Sequence, residues 1–450
     1  MEGTTEGKPP SVPRASGAKQ GGEVRARWVW TEPSVWTDRM LEALERGVKG
    51  GVWYSLMDKV CSERNLEAAW NRVERNKGGP GVDGVTVAAF GRRAGEELAL
   101  LSEQLRDGTY EPRAIRRSWI PKGKGELRPL GIPTVRDRVV QTALRNTLEP
   151  VYEHGFAEHS YGFRPRRGAK DALRRVMTLL KDGHRHVVDA DIRGYFDSIP
   201  KAELLALMRA KVADGRVLAL LGQFLDQPIM EGLAQWSAET GTPQGAVISP
   251  LLANVYLDPL DHLMADGGIE MVRYADDFVL LCRSAQEAEA ALDTVRKWTE
   301  AVGLTLHPDK TRVVSMDGEG SHFDFLGYRF KRHKGRDLKF PRLKSEKKLR
   351  ESVRKLTRRT NANSLEAVIS RLNPVLRGWY EYFKHSHQTV FPSVDGYVRM
   401  RLRSILRKRH KRRGRGRGSD HQRWPNAYFT ERGLFSLVTA RAQAIQPLPG

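Results

Sequence analysis

The stretch Met271-Val272-Arg273-Tyr274-Ala275-Asp276-Asp277-Phe278-Val279-Leu280-Leu281-Cys282 sets an acidic pair between two apolar runs. This pattern predicts two short buried strands joined at Ala275-Asp276-Asp277. Adjacent carboxylates between apolar strands are expensive, because like charges raise each other's pKa and burial adds a desolvation penalty. A divalent cation removes both costs, and Mg2+ favours one or two carboxylates together with substrate phosphates. Taken alone, the dipeptide also fits a solvated hairpin turn.

A second carboxylate-bearing strand shifts the balance. His186-Val187-Val188-Asp189-Ala190-Asp191-Ile192 alternates, with Val188, Ala190 and Ile192 on one face and Asp189 and Asp191 on the other. A break over Arg193 to Pro200 then leads into a helical Lys201 to Arg209. Asp191 is expected to leave its strand beside Asp276 and Asp277. Three carboxylates from two strands suit a two-metal site for in-line phosphoryl transfer.

Asp-Ile-Arg-Gly-Tyr-Phe-Asp at 191–197, followed by Tyr-Ala-Asp-Asp at 274–277, resembles the palm motifs of reverse transcriptases, in particular bacterial group II intron-encoded reverse transcriptase/maturases. The implied fold is α+β: a right-hand polymerase, with fingers and a palm on an antiparallel sheet, followed by an α-helical thumb. Further motifs follow in family order over roughly residues 60–440. Asn76 to Gly84 resembles a lid over the template. Ile120-Pro121-Lys122 and Arg128-Pro129-Leu130-Gly131-Ile132-Pro133 flank a Gly/Lys turn and resemble the fingers hairpin. Ser160-Tyr161-Gly162-Phe163-Arg164-Pro165 and Pro243-Gln244-Gly245 come next. A late-palm run through Lys310 and a primer-gripping hairpin at Phe323 to Phe330 follow. Leu372 to Phe383 resembles the maturase thumb, domain X, and Trp424 to Leu437 the closing motif of bacterial intron proteins.

The resemblance implies catalysis by Asp191, Asp276 and Asp277, with two Mg2+ held by Asp191, Ile192, Asp276 and Asp277 and Mn2+ as a substitute. Lys122 and Arg128 are assigned to the triphosphate, since arginine takes phosphate bidentately and lysine acts as a point charge. Phe196 is placed beneath the sugar, where it leaves no room for a 2′-OH and selects dNTPs. Gln244 lines the nucleotide pocket. Arg164, Arg166, Lys310, Arg377, Arg409 and Arg412 are expected on RNA or DNA, the first two because aromatics interleaved with arginine hold unpaired strands. Asp189 is expected to sit too far back for catalysis, and Asp197 to cap the next helix.

Composition agrees with a polyanion as partner. The 450 residues carry a net charge of +22, and Lys331 to Gly418 alone hold 28 Lys+Arg against 6 Asp+Glu, which is the whole excess. Such a field makes binding salt-dependent. Hydrophobic content of 40% and the absence of any long apolar run exclude a membrane span, and Met1 to Gly22 has no signal-peptide core. Cys61 and Cys282 are the sole cysteines. With no Cys-x-x-Cys, zinc sites, a disulfide framework and the HNH endonuclease of some relatives are not expected, and a reducing cytoplasm is the natural setting.

The expected organisation is a disordered 1–25, an N-terminal extension and lid over 26–100, fingers and palm over 101–330, a thumb over 331–410, and a basic linker with a nucleic-acid-binding segment over 411–450. Expected partners are group II intron RNA, an RNA template with DNA primer, dNTPs and target DNA. The function implied is an RNA-directed DNA polymerase that also assists splicing and supports intron mobility. Rival readings are a non-catalytic RNA-binding splicing cofactor and a reverse transcriptase recruited elsewhere, such as to phage defence. Intact palm carboxylates argue against the first, and the domain X match against the second.

Overall fold

A computed structural model describes residues 24–48, 51–123, 126–412 and 418–445. The expected disordered segment lies almost wholly outside these, as do the hairpin tip at 124–125 and residues 413–417 of the basic run. Two compact units are formed. The first uses the chain up to Ala172, Ala190–Phe278 and Ala290–Thr311. The second uses Leu173–Asp189, Val279–Glu289 and the chain from Arg312 onward.

The first unit is organised on the helix Val135–Glu153, which is buried on nearly all sides, so its buried polar residues, Asp137, Gln141 and Asn146 among them, must find hydrogen-bond partners. Thr134 caps it by accepting from the Asp137 N–H at 3.1 Å. The helix Glu63–Asn76 buries Leu66, Ala69, Trp70 and Val73 at helical spacing and packs on it. Asn146 Nδ2 donates to Asn65 Oδ1 across that contact at 2.9 Å. Trp36 is fully buried and donates its indole N–H to the Asn146 carbonyl at 2.9 Å, so core packing, not RNA, claims it.

Strands β1 (Ile115–Gly123) and β2 (Glu126–Ile132) form the expected antiparallel hairpin. β1 also pairs in parallel with β4 (Ile229–Glu231), and β4 turns back into β5 (Ala234–Trp236). The lid-like segment is tied down at its glycines. Arg116 donates to the Pro80 carbonyl at 2.7 Å and Arg138 to that of Gly79 at 2.9 Å. A Cβ on Gly81 would stand 2.7 Å from the Thr134 Cα, so only glycine lets these backbones meet.

The palm strands are β3 (His186–Asp191), β6 (Glu270–Tyr274), β7 (Asp277–Cys282) and β8 (Arg312–Ser315), in the order β6-β7-β3-β8. β3 and β8 are antiparallel, with His186 opposite Ser315. The helix Lys201–Arg209 follows β3 with the expected bounds.

In the second unit, β9 (His322–Phe325), β10 (Tyr328–His333) and β11 (Arg336–Pro341) form an antiparallel sheet. The aromatic run at 323–330 is broken by a tight turn, with positive φ at Leu326 and Gly327. Helices Leu343–Leu356, Leu365–Phe383 and Val390–Arg409 follow. Their core joins Leu349, Val353, Leu372, Leu376, Val398 and Leu402 to Trp424, Phe429, Leu434 and Leu437 from the C-terminal segment. Those aromatic residues serve as core, not as an exposed nucleic-acid contact. Phe429→Ala is expected to lower the unfolding free energy by about 3–5 kcal/mol, read by urea denaturation, with loss of amide protection across Leu343–Arg409.

Candidate active site

The acidic pair sits where β6 passes into β7. Ala275 takes a left-handed conformation, φ +59°, which costs a residue with a Cβ of order 1–3 kcal/mol and persists only where its surroundings enforce it. Arg273 enforces it. Its side chain is fully buried. Nε donates to Asp261 Oδ1 at 2.7 Å, and a second nitrogen donates to Oδ2. Nη1 donates to Asn254 Oδ1 at 3.0 Å and to the Ala275 carbonyl at 2.9 Å. Asn254 and Asp261 lie seven residues apart on the helix Ser249–Asp266, hence on one face.

The Ser160-to-Pro165 motif supports this turn from outside. Tyr161 N–H donates to the Arg273 carbonyl at 2.8 Å, and Arg273 N–H to that of His159 at 3.0 Å. Asn254 Nδ2 donates to the Gly162 carbonyl at 2.8 Å. A Cβ on Gly162 would fall 2.1 Å from the Ala275 nitrogen, so only glycine fits. Sequence reading assigned this motif to nucleic acid and missed its structural part. The signal available was a glycine between two aromatics.

Arg164 is a correction. Its side chain is 2% exposed. It binds both oxygens of Glu153 at 3.0 and 2.9 Å and the Ser160 carbonyl at 3.0 Å. All its reach is spent internally, so it cannot touch RNA. Two residues on, Arg166 is exposed, with one long bond to the Arg27 carbonyl at 3.3 Å.

Asp191 ends β3, and Lys310 Nζ lies 2.6 Å from its Oδ2. Lys310, an expected nucleic-acid contact, is 55% exposed and holds this ion pair. The chain at 307–311 folds onto the strand end: His307 N–H donates to the Asp191 carbonyl at 2.7 Å, and Lys310 and Thr311 N–H both return to His307. Asp276 is pushed above the usual carboxylate range, first by burial and then by the Asp191 charge, against the opposing pull of its own backbone N–H, Arg128 and Arg273. Asp277 opens β7. Asp189 lies further back and pairs with Arg312 at 3.2 Å. Ile192 is buried, so it offers a metal nothing but its backbone carbonyl.

These donors fit a divalent cation in chemistry. One carboxylate has already drawn an ammonium, and the other is raised by burial and by its neighbour's charge. Among the described residues no cluster of three metal-ligating side chains is found.

Arg128 and Gln244, both expected in the nucleotide pocket, are bonded to each other. Arg128 Nε donates to Gln244 Oε1 at 3.0 Å, and Gln244 Nε2 to Asp197 Oδ2 at 2.9 Å. The Gly131 N–H also donates to the Gln244 carbonyl at 2.6 Å. Hairpin and palm loop are thereby joined at one residue. Asp197, expected as a helix cap, instead orients the Gln244 amide, because an ionised carboxylate accepts and never donates. Phe196 is half-buried, and its carbonyl accepts from Thr242 N–H at 2.7 Å. Lys122 is placed in β1 by its backbone, and its side chain lies outside the described residues.

In the second unit Arg377, Arg409 and Arg412 are all exposed. Arg377 stands over the Phe435 ring at 4.5 Å, Arg409 donates to the Asn363 carbonyl, and Arg412 lies 3.7 Å from Asp420. No helix among the described residues is long and apolar enough to cross a membrane.

Paired acidic strand ends facing a basic hairpin over a palm sheet define a nucleotidyl-transferring polymerase, and comparison with known proteins gives its kind. Residues 120–330 match the reverse transcriptase (RNA-dependent DNA polymerase) family, and residues 346–424 match the group II intron, maturase-specific domain. Protein YkfC of Escherichia coli K12 is 32% identical over 354 residues, covering 69% of this chain and 87% of YkfC. Group II intron-encoded protein LtrA of Lactococcus lactis subsp. cremoris is 38% identical over 199 residues, 44% of this chain and 33% of LtrA. Among solved structures, telomerase from Candida albicans is similar at a TM-score of 0.41 and 13% identity, covering 72% of this chain and 65% of that one. The chain belongs to the group II intron-encoded reverse transcriptase/maturases, and by class it is an RNA-directed DNA polymerase. Reverse transcriptase domains use divalent metal ions.

The two neighbouring arginines separate by experiment. Arg164→Ala strands Glu153 without its buried partner and is expected to cost about 3–5 kcal/mol in urea denaturation. Arg166→Ala is expected to stay within about 0.5 kcal/mol, while lowering the salt slope of RNA binding.

Proposed function

We propose that this protein copies RNA into DNA with Asp191, Asp276 and Asp277 holding two Mg2+, and that its thumb binds the group II intron RNA that encodes it. The observation that carries the reading is that Asp191 ends β3 and Asp276 directly precedes β7, its neighbour in the sheet, so that the carboxylates come from adjacent strands, with Arg128 tied to Gln244. Metal bound by these carboxylates supplies activation of the primer 3′-OH and neutralises the triphosphate.

The chain's own residues do the remainder. Arg273 and Gly162 hold the acidic turn in the one conformation that presents Asp276. Lys310 keeps a positive charge at Asp191 while no substrate is bound, and it must yield there when metal and nucleotide arrive. Arg128 and Lys122 take the triphosphate oxygens, and Gln244, fixed by Asp197, lines the pocket beside them. Phe196 lies beneath the sugar and favours a dNTP. Arg377, Arg409 and Arg412, with the charge of 331–418, give the thumb its hold on intron RNA and on the template–primer duplex. That hold serves splicing, and with target DNA it serves mobility by target-primed reverse transcription.

Primer extension on an RNA template with dNTPs and Mg2+ tests this. Asp276→Ala is expected to abolish DNA product while leaving enhancement of intron splicing at low Mg2+ intact, and near-normal extension by that variant would overturn the assignment. A pH series adds an independent check. The raised Asp276 pKa means that the metal-free protein keeps a proton there at pH values where an ordinary carboxylate has lost it. That proton must leave before the oxygen can ligate. The Mg2+ concentration for half-maximal extension is therefore expected to fall as pH rises through that pKa and then level off.

A further inference from the structure

Phe163 is a costly residue where it stands. Its side chain is large and apolar, yet it is 41% exposed. Its backbone is left-handed, φ +59°, a conformation uncommon for any residue with a Cβ. The chain on either side imposes it. Gly162 is pressed against Ala275 and bonded to Asn254, and Arg164 is locked on Glu153. Strain at an exposed ring, enforced by its surroundings, points to use.

The ring meets Phe196. The two stand edge to face, with centroids 6.3 Å apart and planes at 76°. Phe196 has a second aromatic neighbour, Tyr195, at 5.5 Å and 66°. Tyr195 is buried and anchored by its hydroxyl, which donates to the Ala253 carbonyl at 2.5 Å. The Phe196 backbone is held by Thr242. Phe196 is therefore fixed at its pivot and on its buried side, and Phe163 is the contact on the exposed side.

We infer that Phe163 is a specificity-determining residue that braces the Phe196 ring so that it excludes nucleotides carrying a 2′-OH. The inference rests on the reading of Phe196 as the ring beneath the sugar. Exclusion of one hydroxyl by an apolar wall is only as strong as the wall is stiff, since a pocket that can give by a small shift rejects an added hydroxyl weakly. Without Phe163, the Phe196 ring can turn toward the vacated space and admit a ribonucleotide.

The test is single-nucleotide incorporation by the full-length protein on an RNA template with a DNA primer and Mg2+. It reads kcat/KM for each dNTP against its matching rNTP. Phe163→Ala is expected to lower the dNTP/rNTP ratio by roughly three- to tenfold, the range that loss of one edge-to-face aromatic pair supplies, chiefly through better use of rNTPs. Phe163→Tyr, which keeps the ring, is expected to hold the wild-type ratio. Phe196→Ala serves as the reference. If Phe196→Ala lowers the ratio but Phe163→Ala leaves it unchanged, the bracing role is wrong while the gate stands. The same holds if Phe163→Ala weakens dNTPs and rNTPs equally, as a base-stacking ring would. If Phe196→Ala itself leaves the ratio unchanged, the gate reading fails, and the bracing role with it.

Discussion

The buried guanidinium of Arg273 is the contact on which the acidic turn depends. A cation with no access to water must have a carboxylate. Burial alone would lower its pKa, and Asp261 more than reverses that. Such a pair adds little net stability over an apolar replacement, and its effect here is geometric. Asp261 occupies two of the donors, and two more go to Asn254 and to the carbonyl of Ala275. The strained turn, the strand before it and the helix beside it are thus bound through one side chain, with Gly162 closing the remaining approach.

The nucleotide side follows a similar logic with weaker bonds. A glutamine amide can point either way until its neighbours decide. Here Asp197 accepts from its nitrogen and Arg128 donates to its oxygen, so Gln244 has one orientation. Because Gly131 donates to the Gln244 carbonyl as well, the basic hairpin and the palm loop are joined through one residue. The thumb differs in kind. Its inward faces are apolar and its outward faces cationic, so one set of helices provides both a core and a polyanion-binding surface.

Much of this was legible in the chain. Period-2 alternation marked β3, the acidic pair between apolar runs marked β6 and β7, and paired Ile-Pro runs around a Gly/Lys turn marked the fingers hairpin. Helix Lys201–Arg209 emerged with its expected bounds. Roles of individual charges were less legible. Arg164 and Arg166 look equivalent in the motif, yet one is sealed on Glu153 and the other faces water. Lys310 reads in the sequence as a nucleic-acid contact, and the fold sets it beside Asp191. Asp197 looked like a cap and proved to orient Gln244.

The sequence by itself determined the fold class, the strands that carry the carboxylates, the place of the basic excess and the family, because periodicity and motif order are local properties that survive without coordinates. Only the tertiary structure decided which cation meets which anion, why Gly162 admits no side chain, and how the C-terminal aromatics came to be core. Those outcomes depend on partners far apart in the chain, Gly162 with Ala275 or Arg403 with Phe429, and no local pattern encodes which surface a given side chain will face once the chain has closed.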